Sequence, residues 1–174
     1  PLSSAVELLK EGKILAIKGL GGFHLACDAT NAQAVIELRN RKLRVDKPFA
    51  IMMPDIEIIE SHCLVSESER ELRLSSARPI VLLKRKPESN VAREVAPKQD
   101  WVGVMLPYTP LHYLLFADHD VPFTALVMTS GNLSEEPIAT GNDEARERLA
   151  RLADAFLMHN RDIHIRCDDS VIRV

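Results

Sequence analysis

The chain has 174 residues, 46% of them hydrophobic, which is enough for one domain with a sizeable core. Its formal net charge of −3 argues against a broadly basic nucleic-acid surface, and an aromatic content of 5% argues against stacking platforms for single strands. No apolar run is long enough to span a bilayer and no secretory signal precedes the first helix.

Cys27, Cys63 and Cys167 are dispersed and lack CxxC spacing, so reduced thiols in a cytoplasmic protein are expected, not a disulfide frame or a zinc ribbon. The chain starts at Pro1 without a methionine and stops at Val174 within an apparent strand. It therefore reads as one domain, 1–174, of a longer protein.

Ser4-Ala5-Val6-Glu7 has the pattern of a capping box and, with Leu8, Leu9 and a closing Gly12, predicts a helix over about 4–11. Ile14–Ile17 reads as a buried strand, Lys18–Gly22 as a glycine-rich turn and Phe23–Cys27 as a second strand. From Ala32, the positions Ala34, Val35 and Leu38 keep helical spacing to about Arg41. Phe49–Met53 predicts a strand, after which Pro54 opens a short helix through Ile59. Ser66 and Glu69 form a second capping-box pattern, for a helix to about Leu74.

Ile80–Leu83 is the next strand, and residues 87–100, polar and without periodicity, read as a surface loop. Val102–Leu106 reads as a short strand. Thr109 caps and Pro110 starts a helix to about Ala117. Leu126–Thr129 is a strand, 130–141 a loop, Glu144–Leu152 an amphipathic helix and Ala155–His159 a strand; short extended pieces follow around Asp168-Asp169-Ser170. Strands and helices interleave throughout, which predicts a single α/β domain with helices packed on a mixed, partly parallel sheet.

Three polar loops could carry chemistry, because open α/β sheets hold ligands at strand ends. The first lies in the run Arg39–Pro48, with five cationic side chains and one acid, Asp46. Such a cluster suits a local anionic ligand, yet by position alone the charges also complement the end of a helix, and that reading comes first on this stretch taken by itself. The second loop is Thr129-Ser130-Gly131-Asn132, whose hydroxyl and amide suit phosphate or ribose oxygens but are equally ordinary turn residues. The third is Arg166–Ser170, either an arginine and serine for phosphate or a polar hairpin.

The glycine-rich turn is neither a P-loop nor a GxGxxG fingerprint. His112, His119, His159 and His164 are scattered, so no dedicated metal site is expected. His24, four residues from Asp28, reads as a structural histidine. Asp168 and Asp169 would point oppositely on a strand, a weak basis for holding Mg²⁺.

Taken together, Lys42-x-Arg44, Lys47-Pro48-Phe49 and Ser130-x-Asn132 resemble the YrdC-like family, which includes the threonylcarbamoyl-adenylate synthases. Four longer stretches, Lys18–Ala29, Leu106–His112, Met128–Pro137 and Cys167–Val171, are similar to the YrdC-like domain of HypF-type carbamoyltransferases of nickel–iron hydrogenase maturation.

The resemblance implies an open twisted mixed sheet with flanking helices. It also implies a domain that binds ATP, with Mg²⁺, and forms carbamoyl-adenylate from carbamate with release of pyrophosphate. In such enzymes an acylphosphatase domain supplies carbamate, a zinc-finger domain is present, and a C-terminal transferase domain passes the carbamoyl group to the acceptor protein HypE. Those domains are missing here, and no membrane partner is implied. By the same resemblance, Lys42 and Arg44 stabilise charge on the phosphates and Lys47 helps them. Ser130 and Asn132 hold the α-phosphate and carbamoyl region. Arg166 and Ser170 line the nucleotide side, with Tyr108 and His112 as further nucleotide-binding candidates. Arg39 and Arg41 gain nothing from the match and are left as helix-end and surface charge.

Threonylcarbamoyl synthases carry hydroxyl-bearing residues where this chain has Ile17–Gly22, and Ser-Ala-Asn where it has Ser130-Gly131-Asn132. These departures favour bare carbamate over threonine. Double-stranded RNA binding, described for some members, fits poorly with one basic cluster in an acidic chain.

Overall fold

Helix α1 (Leu2–Lys10) begins ahead of Ser4, with Pro1 at its N-cap and no side-chain cap. The apolar stripe decides the start: Leu2, Ala5, Val6 and Leu9 turn toward the core, so Ser4 and Glu7 lie inside the helix and form no capping box. Gly12, at φ +78°, ends it. Lys13 N–H donates to Leu8 O at 2.9 Å and Gly12 N–H to Leu9 O at 3.0 Å, the paired bonds of a Schellman cap. The computed structural model describes residues 1–75, 78–117, 123–133 and 136–174. His119, and Ser134 and Glu135 of the Met128–Pro137 motif, lie outside them.

The strands are β1 (Leu15–Lys18), β2 (Phe23–Asp28), β3 (Ala50–Met52), β4 (Cys63–Leu64), β5 (Ile80–Arg85), β6 (Trp101–Met105), β7 (Leu126–Ser130), β8 (Ala155–Leu157) and β9 (Val171–Ile172). They form one open sheet in the order β4-β5-β6-β3-β7-β2-β1-β8, with β9 beside β5. The pairs β1/β8, β3/β6 and β5/β9 are parallel and the others antiparallel, so the sheet is mixed as expected.

The helices α2 (Ala32–Arg41), α3 (Ile56–His62), α4 (Glu67–Leu74), α5 (Pro110–Phe116) and α6 (Asn142–Arg148), with a 3₁₀ turn at Arg93–Val95, complete the fold among the described residues. Asn31 caps α2 through a 3.2 Å bond to Ala34 N–H, and Thr109 caps α5 through a 3.1 Å bond to His112 N–H. At α4 both arms of the predicted Ser66/Glu69 capping box form. Pro54 does not open α3; Asp55 caps it through a 2.8 Å bond from Ile58 N–H. Helix α6 starts at Asn142, before the expected Glu144, because Glu144 reaches back to accept from Thr140 and Gly141 N–H at 3.0 and 3.1 Å.

Alternation along the strands gives the sheet two apolar faces. One buries Leu25, Cys27, Ile51, Val104 and Val127 with Val35 and Leu38 of α2. The other buries Ala26, Met52, Met105, Leu126 and Met128 with Val6 and Leu9 of α1 and Leu115 of α5. The polar stretch 87–100 is no free surface loop. Val91, Ala92, Val95 and Ala96 are buried, and Val95 O accepts from Phe49 N–H at 2.8 Å, so four small apolar residues dock it on the core.

After β8 the chain becomes an irregular strap, residues 158–170. Cys167 N–H donates to Gly21 O at 3.1 Å, and Ser170 O accepts from Ile80 N–H at 2.8 Å before β9 joins β5. The strap thus runs from the β1 side of the sheet to β5. Among the described residues, no helix is long and apolar enough to cross a membrane.

Candidate functional site

Helix α2 ends beside the C-terminal end of β7, and this places Lys42. Its side chain is 2% exposed, and Nζ donates to Ser130 O at 2.7 Å, Asn132 O at 2.6 Å and Asn132 Oδ1 at 3.3 Å. Ser130 Oγ donates to the same Asn132 Oδ1 at 2.7 Å, and Asn132 Nδ2 to Glu136 O at 2.5 Å. One buried ammonium therefore folds the loop after β7 around itself. Burial, with Arg44 and Lys47 close by, pulls Lys42 down to about 7, against the opposing field of Asp168.

Leu43, at φ 53°, turns the chain so that Arg44 points back to the sheet. Its Nη1 donates to Thr129 Oγ1 at 3.0 Å and its guanidinium lies 4.9 Å from the Phe49 ring centre. Burial first, then the neighbouring Arg39, lowers the Arg44 pKa. Lys47 is exposed at the loop's far end. Lys42, Arg44, Ser130 and Asn132 thus meet at the C-terminal end of β7, an interior strand, with Lys47 beside them.

Arg39 is not surface charge. It is 7% exposed, lies 5.3 Å over the same Phe49 ring, and donates to Lys47 O at 3.2 Å, to Glu94 O at 3.1 Å and to Val45 O. It braces the basic loop from beneath by its carbonyls. Its four-residue spacing from buried Val35 puts it on the inner face of α2, a signal outweighed in the sequence by its charge. Arg41 is an ion-pair residue, 2.8 Å from Glu37 and 2.9 Å from Asp154, which ties α2 to the start of β8.

A second polar cluster sits under the strap. Asp169 accepts from Tyr108 OH at 3.2 Å through Oδ1 and bonds His24 Nε2 at 3.1 Å through Oδ2. Burial pushes Asp169 up, but the bonds from His24 and Tyr108 prevail and hold it below its usual range. Burial, then Asp169, raises the Tyr108 phenol. His112 is fully buried behind them, its ring edge-on to Tyr108 at 4.6 Å and to His24 at 6.2 Å. Burial and then His24 hold it at about 3, so the ring is neutral, and neither ring nitrogen has a protein partner. Arg166 and Ser170 are exposed on the strap on either side of Asp169.

The two clusters meet at the sheet. His24 and Ser130 are directly paired across β2 and β7, so their side chains share a face. Asp168, one residue before the half-buried Asp169, is near enough to act electrostatically on Lys42. The glycine-rich turn is the seat of the strap: a Cβ on Gly21 would stand 2.5 Å from Cys167 O. Arg39 and His24, read in the sequence as surface charge and as a structural histidine, join the site, and Thr129 and Asp169, read only as members of candidate loops, gain partners distant in sequence.

The family model of the Sua5, YciO and YrdC proteins, described as "Telomere recombination", matches residues 7–174. The chain belongs to the Sua5/YciO/YrdC family. Within it, the chain is 50% identical over 185 residues to carbamoyltransferase HypF2 of Cupriavidus necator, covering 99% of this chain and 23% of that protein. A crystal structure of full-length HypF in the phosphate- and nucleotide-bound form superposes with TM-score 0.93 at 53% identity, over 99% of this chain and 27% of that one.

Pyrococcus abyssi Sua5 complexed with L-threonine superposes with TM-score 0.85 at 20% identity, over 99% of this chain and 50% of that one; this likeness shows the fold alone. The chain therefore spans about a quarter of the length of the HypF proteins it matches, as their YrdC-like portion. The resemblance to HypF seen in the motifs holds along nearly the whole chain.

Proposed function

We propose that this domain binds ATP and converts carbamate to carbamoyl-adenylate, one step of carbamoyl transfer by a HypF-type enzyme in the cytoplasm. The observation that carries the reading is the Lys42 nest: a buried cation wired to Ser130 and Asn132, with Arg44 and Lys47 beside it. In the reaction a carbamate oxygen attacks the α-phosphorus. The bond from that phosphorus to the oxygen bridging the β-phosphate breaks, and pyrophosphate leaves with the electron pair.

Negative charge grows on the phosphate oxygens and the leaving group, so preorganised cations in a partly dry site lower the barrier. Lys42 and Arg44 supply that charge, with Lys47 at the exposed end. The Ser130 hydroxyl and the Asn132 amide orient the α-phosphate and carbamoyl oxygens, and Arg166 and Ser170 close the nucleotide side. Tyr108 and His112 serve from beneath the strap. Asp168, exposed on the strap with Oδ1 accepting from the Asp169 N–H at 3.0 Å, would be a strap carboxylate to hold Mg²⁺ with the triphosphate. In this reading the other parts of a HypF-type protein deliver carbamate and pass the carbamoyl group on to HypE.

Calorimetry of ATP with the wild type and with Lys42→Ala/Arg44→Ala tests the site; equal affinity for the two would remove these residues from it. Pyrophosphate release from ATP and carbamate, with and without threonine, tests the reaction. Release without threonine is expected, and strict threonine dependence would replace this reading with threonylcarbamoyl-adenylate synthesis. Double-stranded RNA is disfavoured by geometry. Of the five cations in the basic run, Lys42 and Arg39 are buried and Arg41 is paired, which leaves Arg44 and Lys47 for a phosphate backbone.

A further inference from the structure

We infer that Asp169 is a positioning residue, a latch that fixes the strap over the sheet and thereby sets where Arg166 and Ser170 stand. Around it the strap has little else to hold it. Arg166, Cys167, Asp168 and Ser170 are all exposed. The backbone contributes the Cys167–Gly21 bond and the Ser170–Ile80 bond, one on each side of Asp169. At the start of the strap Lys18 Nζ donates to His159 O at 3.3 Å; at its far end the Asp169 carboxylate supplies the side-chain tether, one oxygen taking Tyr108 from the segment after β6 and the other His24 from β2.

One residue therefore joins the strap to two distant parts of the chain at once. Both tethers are themselves fixed, since the buried His112 ring packs edge-on against each. Bonds to an ionised carboxylate are stronger than neutral ones, which suits a single-residue clasp. Tyr108 acts through Asp169 and does not bind nucleotide directly. His24 faces the strap on the same side of the sheet as Ser130, so the latch registers the strap against the Lys42 nest.

The nucleotide part of this inference rests on the ATP reading above; the latch itself does not, and the tests separate the two. Hydrogen exchange is followed at the Cys167 and Ile80 amides, which report the strap without any ligand. Asp169→Ala should speed exchange at Cys167 by roughly tenfold or more, the size of a lost charge-assisted bond. Asp169→Asn, which keeps an acceptor for Tyr108, should fall between that variant and the wild type. Wild-type protection at Cys167 in both variants would overturn the latch.

ATP affinity is then measured by calorimetry for Asp169→Ala, Arg166→Ala and the double variant. If Asp169 acts through Arg166, the double variant binds no worse than the weaker single; losses that multiply would overturn the positioning role. Tyr108→Phe should weaken ATP in the wild-type background and add nothing in Asp169→Ala, and an added loss would make Tyr108 a direct ligand. A wild type that binds no ATP, with Asp169→Ala still exchanging faster, defeats the ATP reading and leaves the latch standing.

Discussion

The basic loop and the strap bring cationic residues toward the same end of the interior strands β2 and β7, and they are built in opposite ways. The loop is anchored from inside. Lys42 is 2% exposed and Arg39 7%, and between them they hold oxygens of Ser130, Asn132, Val45, Lys47 and Glu94. The strap is laid on from outside, exposed along most of its length and clasped at Asp169. Charges meant to meet a triphosphate gain most from being fixed before it arrives. A segment that covers a ligand must open to admit it, so a few local contacts suit it better than a buried network. Loss of a loop anchor should therefore damage fold and site together, whereas loss of a strap contact should damage the site alone.

The largest effect is expected at Lys42. Lys42→Met takes the donor from Asn132 O and leaves Ser130 O with the Asn132 N–H alone, at a cost of about 1–3 kcal/mol for the group left unsatisfied, and should abolish measurable ATP binding. A melting curve and a calorimetric titration check the two halves. The same residue gives a pH signature. Its folded pKa, about 7, lies below the ordinary lysine value of 10.5. Between these two values the unfolded chain holds the proton more than the folded one, so this group makes stability rise as pH increases through that window.

Binding of a polyanion should restore the charge. ATP binding at pH 8 should accordingly take up protons, read as a dependence of the calorimetric heat on the buffer's ionisation enthalpy. Equal heats in phosphate and Tris would show that Lys42 is already charged.

Arg39 comes next. Arg39→Met keeps the stem over Phe49 but orphans three carbonyls, and should cost about 2–4 kcal/mol of stability. Because the brace holds Lys47 and Val45, ATP affinity should fall as well, although Arg39 touches no phosphate. A variant that keeps both stability and affinity would show that the loop holds itself.

How far this contrast was legible in the sequence follows from the range of the interactions. Helix α2 was read to its bounds because Ala34, Val35 and Leu38 repeat within one segment. The Thr109-Pro110 start of α5 and the capping box of α4 are equally local. Lys42, Arg44, Ser130 and Asn132 were found together through short motifs, and the fold brings them together. Arg39 was lost because a charge is read as exposed unless its acceptors are known, and those acceptors include a carbonyl at Glu94, far along the chain. His24 and Asp169 are separated by nearly the whole domain, so neither hinted at the other. The docking of residues 91–96 was lost because four small apolar residues among polar ones make no periodic signal.

The smallest effects lie on the strap, and there two neighbouring changes should part company. Cys167 contributes its backbone N–H to Gly21 O, and its thiol is exposed. Cys167→Ser alters only the thiol, so stability, ATP affinity and exchange at the Cys167 amide should all stay at wild-type values. Gly21→Ala acts on the other partner of the same contact. The new Cβ would stand 2.5 Å from Cys167 O and 2.8 Å from its Cβ, closer than these atoms can approach, so the strap must lift. Exchange at the Cys167 amide should rise and ATP affinity should fall by roughly threefold to tenfold, with little change in melting temperature because the strap buries little apolar surface. A large drop in melting temperature for Gly21→Ala would mean that the strap is part of the cooperative core, and the contrast between an anchored loop and a clasped strap would be lost.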